Sequence, residues 1–183
     1  LKEKGPADII TATNVFAHVD NVKEFMEAVK MVLKPKGILV LEFPYLVDFI
    51  DNKEFDTVYF EHLSYFSIQP LDYLCSKVGL EIIDIQKQAI HGGTVRVIIG
   101  HPWEYIARVP TIFKYLVNEK DNYGKIEIYN KFSEDAKEVI SSFRDGIHSL
   151  KGKVAGFAAS AKGNTLLNTV GITVGTMRYI VDE

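Results

Sequence analysis

Residues 7–43 decide the fold: the apolar run Ala7-Asp8-Ile9-Ile10-Thr11-Ala12-Thr13 is followed by an amphipathic segment and a second apolar run, Gly37-Ile38-Leu39-Val40-Leu41-Glu42-Phe43. Short, nearly continuous apolar runs are typical of buried strands in a parallel sheet. Between them, Asp20 or Asn21 can cap a helix that extends to about Leu33, because the apolar residues recur at helical spacing. The sequence therefore predicts a βαβ unit with a parallel strand pair and a right-handed crossover.

After Phe43 the sequence predicts the rest of a mixed sheet. Residues 45–66 are irregular, aromatic and acidic, which predicts a long functional loop with a short helix. Ser67 can cap a helix that ends near Gly79. The β-rich runs 80–88 and 94–100 are joined by a short connection, which favours an antiparallel pair. Residues 1–100 are thus predicted to form one α/β domain with an antiparallel edge.

A second body is predicted in the last third of the sequence. Residues 101–124 differ in composition and are predicted to be a linker. Residues 125–150 have the apolar spacing of a long amphipathic helix, and a strand, a helix and a final strand follow. We predict that residues 125–183 open a second Rossmann-like α/β domain. Because both ends of the sequence lie at a strand, we expect the chain to be part of a longer protein.

Composition excludes several classes of protein. The 183 residues are 47% hydrophobic and 25% charged, as in ordinary globular proteins. Lysines and arginines number 21 against 24 acidic residues, which disfavours a nucleic-acid partner. No apolar run reaches the ~18 residues of a membrane helix. The single cysteine, Cys75, favours a reducing cytoplasmic setting and a structural thiol. We expect no metal site, and the oligomeric state stays open, with a monomer slightly favoured.

Polar residues follow the first predicted strand and occupy the long loop. Ligands of open α/β sheets bind outside the carboxyl ends of strands, which is where Asn14 and His18 lie. The alternative is that Asn14 turns the chain and His18 packs locally. On the loop, Glu61 can raise the basicity of His62, as a general base requires, and Tyr59 adds a hydroxyl for a substrate oxygen. The alternative is a surface loop whose aromatic residues fill the core.

Two glycine-containing segments are further candidates. The turn His91-Gly92-Gly93-Thr94 precedes Arg96, and its glycines allow either a close approach of the backbone to a ligand or an ordinary hairpin turn. The segment Ala158-Ala159-Ser160-Ala161-Lys162-Gly163-Asn164-Thr165 joins a strand to a helix. Its small residues, helix N-terminus and lysine suit a phosphate or pyrophosphate. The spacing matches neither the Walker nor the dinucleotide motif.

Several of these segments together resemble one family. Residues 14–19 with residues 33–39 resemble the later half of a class I S-adenosylmethionine-dependent methyltransferase. Four segments, in chain order, resemble the sugar C-methyltransferases, which act on nucleotide-linked 4-keto-deoxy sugars. They are Glu42-Phe43-Pro44-Tyr45-Leu46, Tyr59-Phe60-Glu61-His62, His91-Gly92-Gly93-Thr94-Val95-Arg96 and Ala159-Ser160-Ala161-Lys162-Gly163-Asn164-Thr165-Leu166-Leu167-Asn168.

The resemblance implies S-adenosylmethionine as methyl donor and a nucleotide-linked keto-sugar as substrate. It implies that His62 and Glu61 take part in proton abstraction and that Tyr59 and His18 line the same pocket. The implied cofactor contacts are Asn14, Val15 and His18. The implied substrate contacts are Pro44, Tyr45, His91, Gly92, Gly93, Arg96, Ser160, Lys162, Gly163 and Asn164.

The resemblance also implies parts that the sequence lacks. Members of the family have an N-terminal zinc domain and a glycine-rich cofactor loop, which would lie upstream of Leu1. Residues 1–100 would then be the C-terminal half of the methyltransferase domain, and we expect the chain alone to be inactive. Two alternatives remain open at this point. One is a non-catalytic module that binds a nucleotide-sugar, and the other is an O- or N-methyltransferase.

Overall fold

The chain forms two compact units, which are described separately. The structure, a computed structural model, describes residues 5–90, 92–102, 104 and 109–182. The first unit consists of Leu1–Phe49 and Glu61–Ile126, and the second of Ile50–Phe60 and Glu127–Glu183. The second unit therefore includes a short segment from within the predicted long loop. Glu61 and His62 thus belong to the first unit, whereas Tyr59 belongs to the second.

The first unit is built on a four-stranded mixed sheet. Its strands are β1 (Ala7–Thr13), β2 (Leu33–Pro44), β3 (Glu81–Gln88) and β4 (Thr94–Gly100), in the order β1-β2-β4-β3. β1 and β2 are parallel, and β4 runs antiparallel to both of its neighbours. This confirms the predicted mixed sheet. The prediction of a buried first strand is wrong in one respect: β1 is an edge strand of the described sheet, and Ile9 is 62% exposed.

Helices cover one face of this sheet. They are α1 (Val22–Val32), α2 (Leu46–Asp51), α3 (Ile68–Val78) and α4 (Pro110–Asn118). Alternate residues of two adjacent strands form the core beneath them, namely Leu39, Leu41 and Phe43 on β2 and Val95, Val97 and Ile99 on β4. Burying such a side chain stabilises the fold by about 1.5–3 kcal/mol relative to leaving it in water. The intervening residues of β2 and β4 lie on the opposite face of the sheet. They include Glu42 and Arg96, which are directly opposite each other on the two strands.

The helix ends follow the predicted signals except at the start of α3. Asn21 caps α1, since its side chain accepts a hydrogen bond from Glu24 N at 3.1 Å. Gly79 ends α3 in the left-handed conformation with φ 73°. Ser67 occupies the N-cap position of α3 as predicted, but its side chain makes no capping hydrogen bond. Glu119, which is distant in sequence, accepts hydrogen bonds from the first amides of this helix instead.

The predicted linker, residues 101–124, contains regular structure. It includes α4 and a π-helical turn, Glu119–Tyr123. Ile112 on α4 is fully buried in the core of the first unit, and α4 packs against α3 and β3. Residues 103 and 105–108 lie outside the described part of the chain. The segment from Pro110 to Tyr123 thus belongs structurally to the first unit.

The second unit contains a long helix and a small parallel sheet. Its elements are α5 (Ile126–Ser149), β5 (Val154–Phe157), α6 (Ala161–Val170) and β6 (Met177–Val181). β5 and β6 pair in parallel, so the predicted βαβ unit is present. A 3₁₀ turn, Phe55–Thr57, packs against α6. Arg144 Nε donates to Val170 O at 2.8 Å, which ties α5 to the end of α6. Within the described ranges, no helix is long and apolar enough to cross a membrane.

Candidate active site

Three chain segments meet at one edge of the first unit's sheet. β1 and β2 end there because they are parallel, and β4 begins there because Thr94 pairs with Pro44 at the end of β2. Asn14 directly follows β1, and its backbone N donates to Glu42 O at 3.0 Å. Asn14 has φ 54°, a left-handed conformation that asparagine tolerates better than most residues. Its side chain is exposed at the carboxyl edge, as predicted for a ligand-binding residue.

His18 is positioned by an aromatic anchor. Phe16 is fully buried, and its ring centroid lies 4.5 Å from that of Phe66 and 5.6 Å from that of Phe25. Phe16 and His18 belong to one 3₁₀ turn, Phe16–His18. Because Phe16 is held in the core, the turn has a fixed place, and His18 is left exposed at its end.

The loop that follows Phe60 brings His62 beside His18. Leu63 N and Ser64 N both donate to the Ala17 carbonyl, at 2.9 and 3.3 Å. The imidazole rings of His18 and His62 are 5.0 Å apart between centroids, at an interplanar angle of 64°. These two histidines are 44 residues apart in sequence and were both predicted as site residues, and the structure brings them together.

Other residues of the loop are divided between surface and core. The Tyr65 ring lies 6.3 Å from that of His62. Glu61 is exposed, and Phe60 is 95% exposed, so Phe60 does not fill the core as the surface-loop alternative required. Phe66 does so, with 9% exposure. Tyr59 is half-buried within the second unit.

Tyr45, a predicted substrate contact, lies in the interior. It is 2% exposed, its N–H donates to Gly93 O at 3.1 Å, and its hydroxyl donates to Glu119 Oε1 at 2.7 Å. Burial, together with the negative charge of Glu119, raises the pKa of Tyr45 far above its usual range. The phenol therefore stays protonated and serves as an internal donor. The neighbouring Pro44 is only partly buried and stays at the sheet edge.

Packing against Asp48 requires a glycine at the second position of the turn before β4. Gly93 has φ 135°, and a Cβ there would collide with the Asp48 side chain. Asp48 is 7% exposed, and its Oδ1 lies 2.6 Å from Lys87 Nζ. Gly92 is exposed with φ 84°, and His91 lies outside the described residues. At Gly93 a side chain of the protein, that of Asp48, thus makes the close approach.

A partly buried ion pair lies across the ends of β2 and β4. Arg96 Nε and Nη2 lie 2.9 and 2.8 Å from Glu42 Oε2. Glu42 is 4% exposed, whereas the Arg96 side chain is 40% exposed. Arg96 stabilises the buried carboxylate of Glu42, while the outer part of its guanidinium remains accessible. Arg96 can therefore still meet an anionic or carbonyl group at this edge.

Glu119 is a buried structural residue that the sequence interpretation missed. It is 2% exposed and accepts three hydrogen bonds of 2.7 Å, from the Tyr45 hydroxyl and from the backbone amides of Ile68 and Gln69. The positive end of the α3 dipole favours its charge. The sequence did contain one signal. Glu119 follows Ile112 and Leu116 at helical spacing, on the side of the helix that faces the core. A charged residue at such a position indicates that a partner for its charge is also buried.

The turn between β5 and α6 has the expected form of a helix start. Ser160 Oγ accepts a hydrogen bond from Gly163 N at 3.1 Å, and Ala158 adopts φ 72°. Asn164 is exposed. Lys162, predicted to face an anionic ligand, forms an ion pair with Glu54 at 3.1 Å. Within the described residues, no group of three histidine, cysteine or acidic side chains could hold a metal ion.

Comparisons with known proteins agree with this architecture. Residues 89–183 match the family model of the C-methyltransferase C-terminal domain, and residues 1–85 match a methyltransferase domain. The C-methyltransferase NovU of Streptomyces niveus is 31% identical in an alignment of 183 positions that covers 97% of this chain and 43% of that protein. The chain thus spans less than half the length of this relative.

Two solved structures show weaker similarity. The mitomycin 7-O-methyltransferase MmcR is 16% identical, with a TM-score of 0.42 over 53% of this chain and 30% of that chain. An O-methyltransferase family protein from Burkholderia thailandensis is 17% identical, with a TM-score of 0.38 over 56% of this chain and 32% of that chain. Since the C-methyltransferase family model alone matches more than half of the residues, this chain belongs to the C-methyltransferase family.

Proposed function

We propose that the protein transfers a methyl group from S-adenosylmethionine to a ring carbon beside the ketone of a nucleotide-linked 4-keto-deoxy sugar. The observation that carries this proposal is the pair of imidazoles at the carboxyl edge of the sheet, His18 and His62, 5.0 Å apart. Transfer to carbon requires removal of a proton from a C–H bond, and histidine is the side chain best suited to that task near neutral pH. Family membership and the match to NovU support the C-methyltransferase class.

The proposed roles are those that the family resemblance assigns to these residues. His62 takes the proton from the carbon next to the ketone, and Glu61 orients the imidazole. The negative charge that develops on the ketone oxygen is stabilised by a hydrogen bond from His18. Donors that are already in place give such stabilisation without reorganisation at the moment of reaction. His18 is held by the turn anchored at Phe16, so it meets this requirement.

The exposed end of β1 fits one side of the methyl donor. Asn14 offers an amide, and Val15, 45% exposed, offers an apolar surface; this mixture suits a nucleoside with both polar and apolar groups. When bound, S-adenosylmethionine supplies an electrophilic methyl group on a positively charged sulfur. That methyl group would be the acceptor for the deprotonated substrate carbon, with the thioether as the leaving group, and His62 would hold the abstracted proton. Arg96, partly exposed at the same edge, would contact the sugar.

Kinetics of His62→Asn in the full-length protein test this assignment. A positioned general base contributes about 10²–10⁴-fold to a rate, so we expect kcat to fall by at least about 100-fold. The KM for S-adenosylmethionine should change little, because Asn14 and Val15 remain. His148→Asn, the same substitution at an exposed histidine of α5, is the control. A loss of less than about threefold for His62→Asn would remove His62 from the role of base.

Product analysis separates the proposal from its alternatives. NMR of the product should show the new methyl group on a ring carbon. A methyl group on oxygen or nitrogen would indicate an O- or N-methyltransferase. Binding of a nucleotide-linked sugar without any affinity for S-adenosylmethionine would indicate a non-catalytic binding module.

A further inference from the structure

The imidazole of His62 is part of an aromatic cluster formed by His18, His62, Tyr65 and Phe49. The His62 ring centroid lies 5.0 Å from that of His18 and 6.3 Å from that of Tyr65, and the Tyr65 ring stands almost perpendicular to it, at an interplanar angle of 83°. The Tyr65 ring in turn lies 5.4 Å from that of Phe49. All four residues belong to the first unit, so the cluster is complete within one compact body.

The backbone that follows His62 is held in place, but a fixed backbone does not by itself orient an imidazole. Leu63 N and Ser64 N both donate to the Ala17 carbonyl, at 2.9 and 3.3 Å. Rotation about the bond that joins the imidazole ring to Cβ has broad energy wells. The orientation of the His62 ring must therefore come from the side chains that contact it.

Tyr65 is the neighbour of His62 that is attached to the core. The next residue, Phe66, is 9% exposed, and its ring centroid lies 4.5 Å from that of Phe16. Phe66 O also accepts a hydrogen bond from Leu46 N at 2.9 Å. Tyr65 itself is half-buried, and its ring contacts that of Phe49. The Tyr65 ring is therefore a fixed surface against which a mobile imidazole can pack.

We propose that Tyr65 is a positioning residue whose ring orients the imidazole of His62 for proton abstraction. The inference rests on the proposed function, in which His62 is the base. Perpendicular aromatic rings attract each other beyond the area that they bury, so the contact favours one orientation of the imidazole over the others. A general base has to be aligned with the proton that it removes, and a small misplacement lowers the rate strongly. Tyr65 acts through His62 and requires no contact with the substrate.

Substitutions in the full-length protein separate the ring of Tyr65 from its hydroxyl group. Tyr65→Leu removes the ring and keeps an apolar side chain, whereas Tyr65→Phe keeps the ring and removes only the hydroxyl. Phe49→Leu removes the ring that contacts Tyr65 and leaves both ring neighbours of His62 in place. Tyr73→Leu, the same substitution at a tyrosine of α3 that is 64% exposed, is the matched control.

NMR of histidine-labelled protein reports the orientation of the imidazole without any ligand. The nuclear Overhauser effect between the ring protons of His18 and His62 should fall by at least about threefold in Tyr65→Leu. It should fall less in Phe49→Leu, and it should be unchanged in Tyr65→Phe and Tyr73→Leu. An unchanged effect in Tyr65→Leu, or an equal loss in Tyr65→Phe, would overturn the inference. If Tyr65→Leu does not fold, Phe49→Leu decides the question, and an unchanged effect in that variant overturns the inference.

Steady-state kinetics then tests the catalytic consequence. Tyr65→Leu should lower kcat for methyl transfer to a nucleotide-linked 4-keto sugar by about tenfold, with little change in the KM for the sugar, and Tyr65→Phe should recover most of the loss. An unchanged kcat, with or without a raised KM for the sugar, would overturn the positioning role. If the unaltered protein transfers no methyl group, the proposed function fails, while the NMR measurement still decides whether Tyr65 orients His62.

Discussion

Replacing Glu119 by glutamine tests whether one buried carboxylate holds Tyr45 and the start of α3 in place. The substitution keeps size and shape but removes the charge. Glutamine can still accept from the Tyr45 hydroxyl and Ile68 N through its single oxygen, but its NH₂ group would face Gln69 N–H, so two donors would oppose each other. Glu119 now accepts from that amide at 2.7 Å. The variant thus loses one charge-assisted hydrogen bond and weakens two others.

The magnitude follows from the number of bonds involved. A hydrogen bond to a charged group contributes about 1.5–3 kcal/mol, and a buried amide left without a partner costs about 1–3 kcal/mol. We therefore expect Glu119→Gln to lower the free energy of unfolding by about 3 kcal/mol. At about 2–4 °C per kcal/mol for a domain of 150–250 residues, the melting temperature of the transition in which α3 unfolds should fall by about 6–12 °C. Loss of the α3 N-terminal interaction should appear first as faster exchange of the amides of Ile68 and Gln69.

Scanning calorimetry and hydrogen exchange of the full-length protein measure these effects. Asp121→Asn is the matched control, because Asp121 is an exposed acid in the same π-helical turn. A double-mutant cycle with Tyr45→Phe should give a non-additive energy, since both side chains share one hydrogen bond. If Glu119→Gln were no more destabilising than Asp121→Asn, the carboxylate would not hold α3 and Tyr45 as described.

Three further predictions concern stability. Burial raises the pKa of Tyr45, so above about pH 10 the unfolded state loses this proton while the folded state keeps it. The free energy of unfolding therefore falls as the pH rises above that value. Tyr45→Phe should remove this contribution, up to about 1.4 kcal/mol per pH unit, from the pH dependence measured by urea titration. Gly93→Ala should cost more than about 3 kcal/mol in the same assay, because its Cβ meets Asp48 in a left-handed backbone; a near-neutral result would contradict the packing. Ser160→Ala should lower the free energy of unfolding by about 1 kcal/mol because it removes a helix cap. Ser67→Ala should lower it by less than about 0.5 kcal/mol, since Ser67 makes no capping bond. Equal losses in the two variants would contradict this assignment of the caps.

Patterns within one element were predictable because short-range physics determines them. The strand at residues 94–100, the helix cap at Asp20 or Asn21 and the helix end near Gly79 all depend on residues within a few positions. The placement of β1 at an exposed edge was not predictable from its apolar run, because exposure depends on which strands pair with it. The same holds for α4, because its apolar face can be assigned to the core only once α3 and β3 are known to lie beside it.

The candidate site was predicted unevenly for the same reason. Asn14, His18 and His62 were identified from their positions after a strand and on a loop, and the structure brings the two histidines together. The partners of Tyr45 and Lys162 were not predictable, since Glu119 and Glu54 are 74 and 108 residues away from them. A polar residue near a strand end can serve a ligand or the fold, and only its tertiary partner distinguishes the two.

Hydrogen exchange at the substrate carbon tests the central claim most directly. The full-length protein is incubated in D₂O with a nucleotide-linked 4-keto sugar and without S-adenosylmethionine, and the sugar is followed by proton NMR. Deuterium should enter at the carbon beside the ketone, and His62→Asn should slow this entry by at least about 100-fold while leaving the sugar intact. Entry at an equal rate in both proteins, or none in either, would contradict proton abstraction by His62.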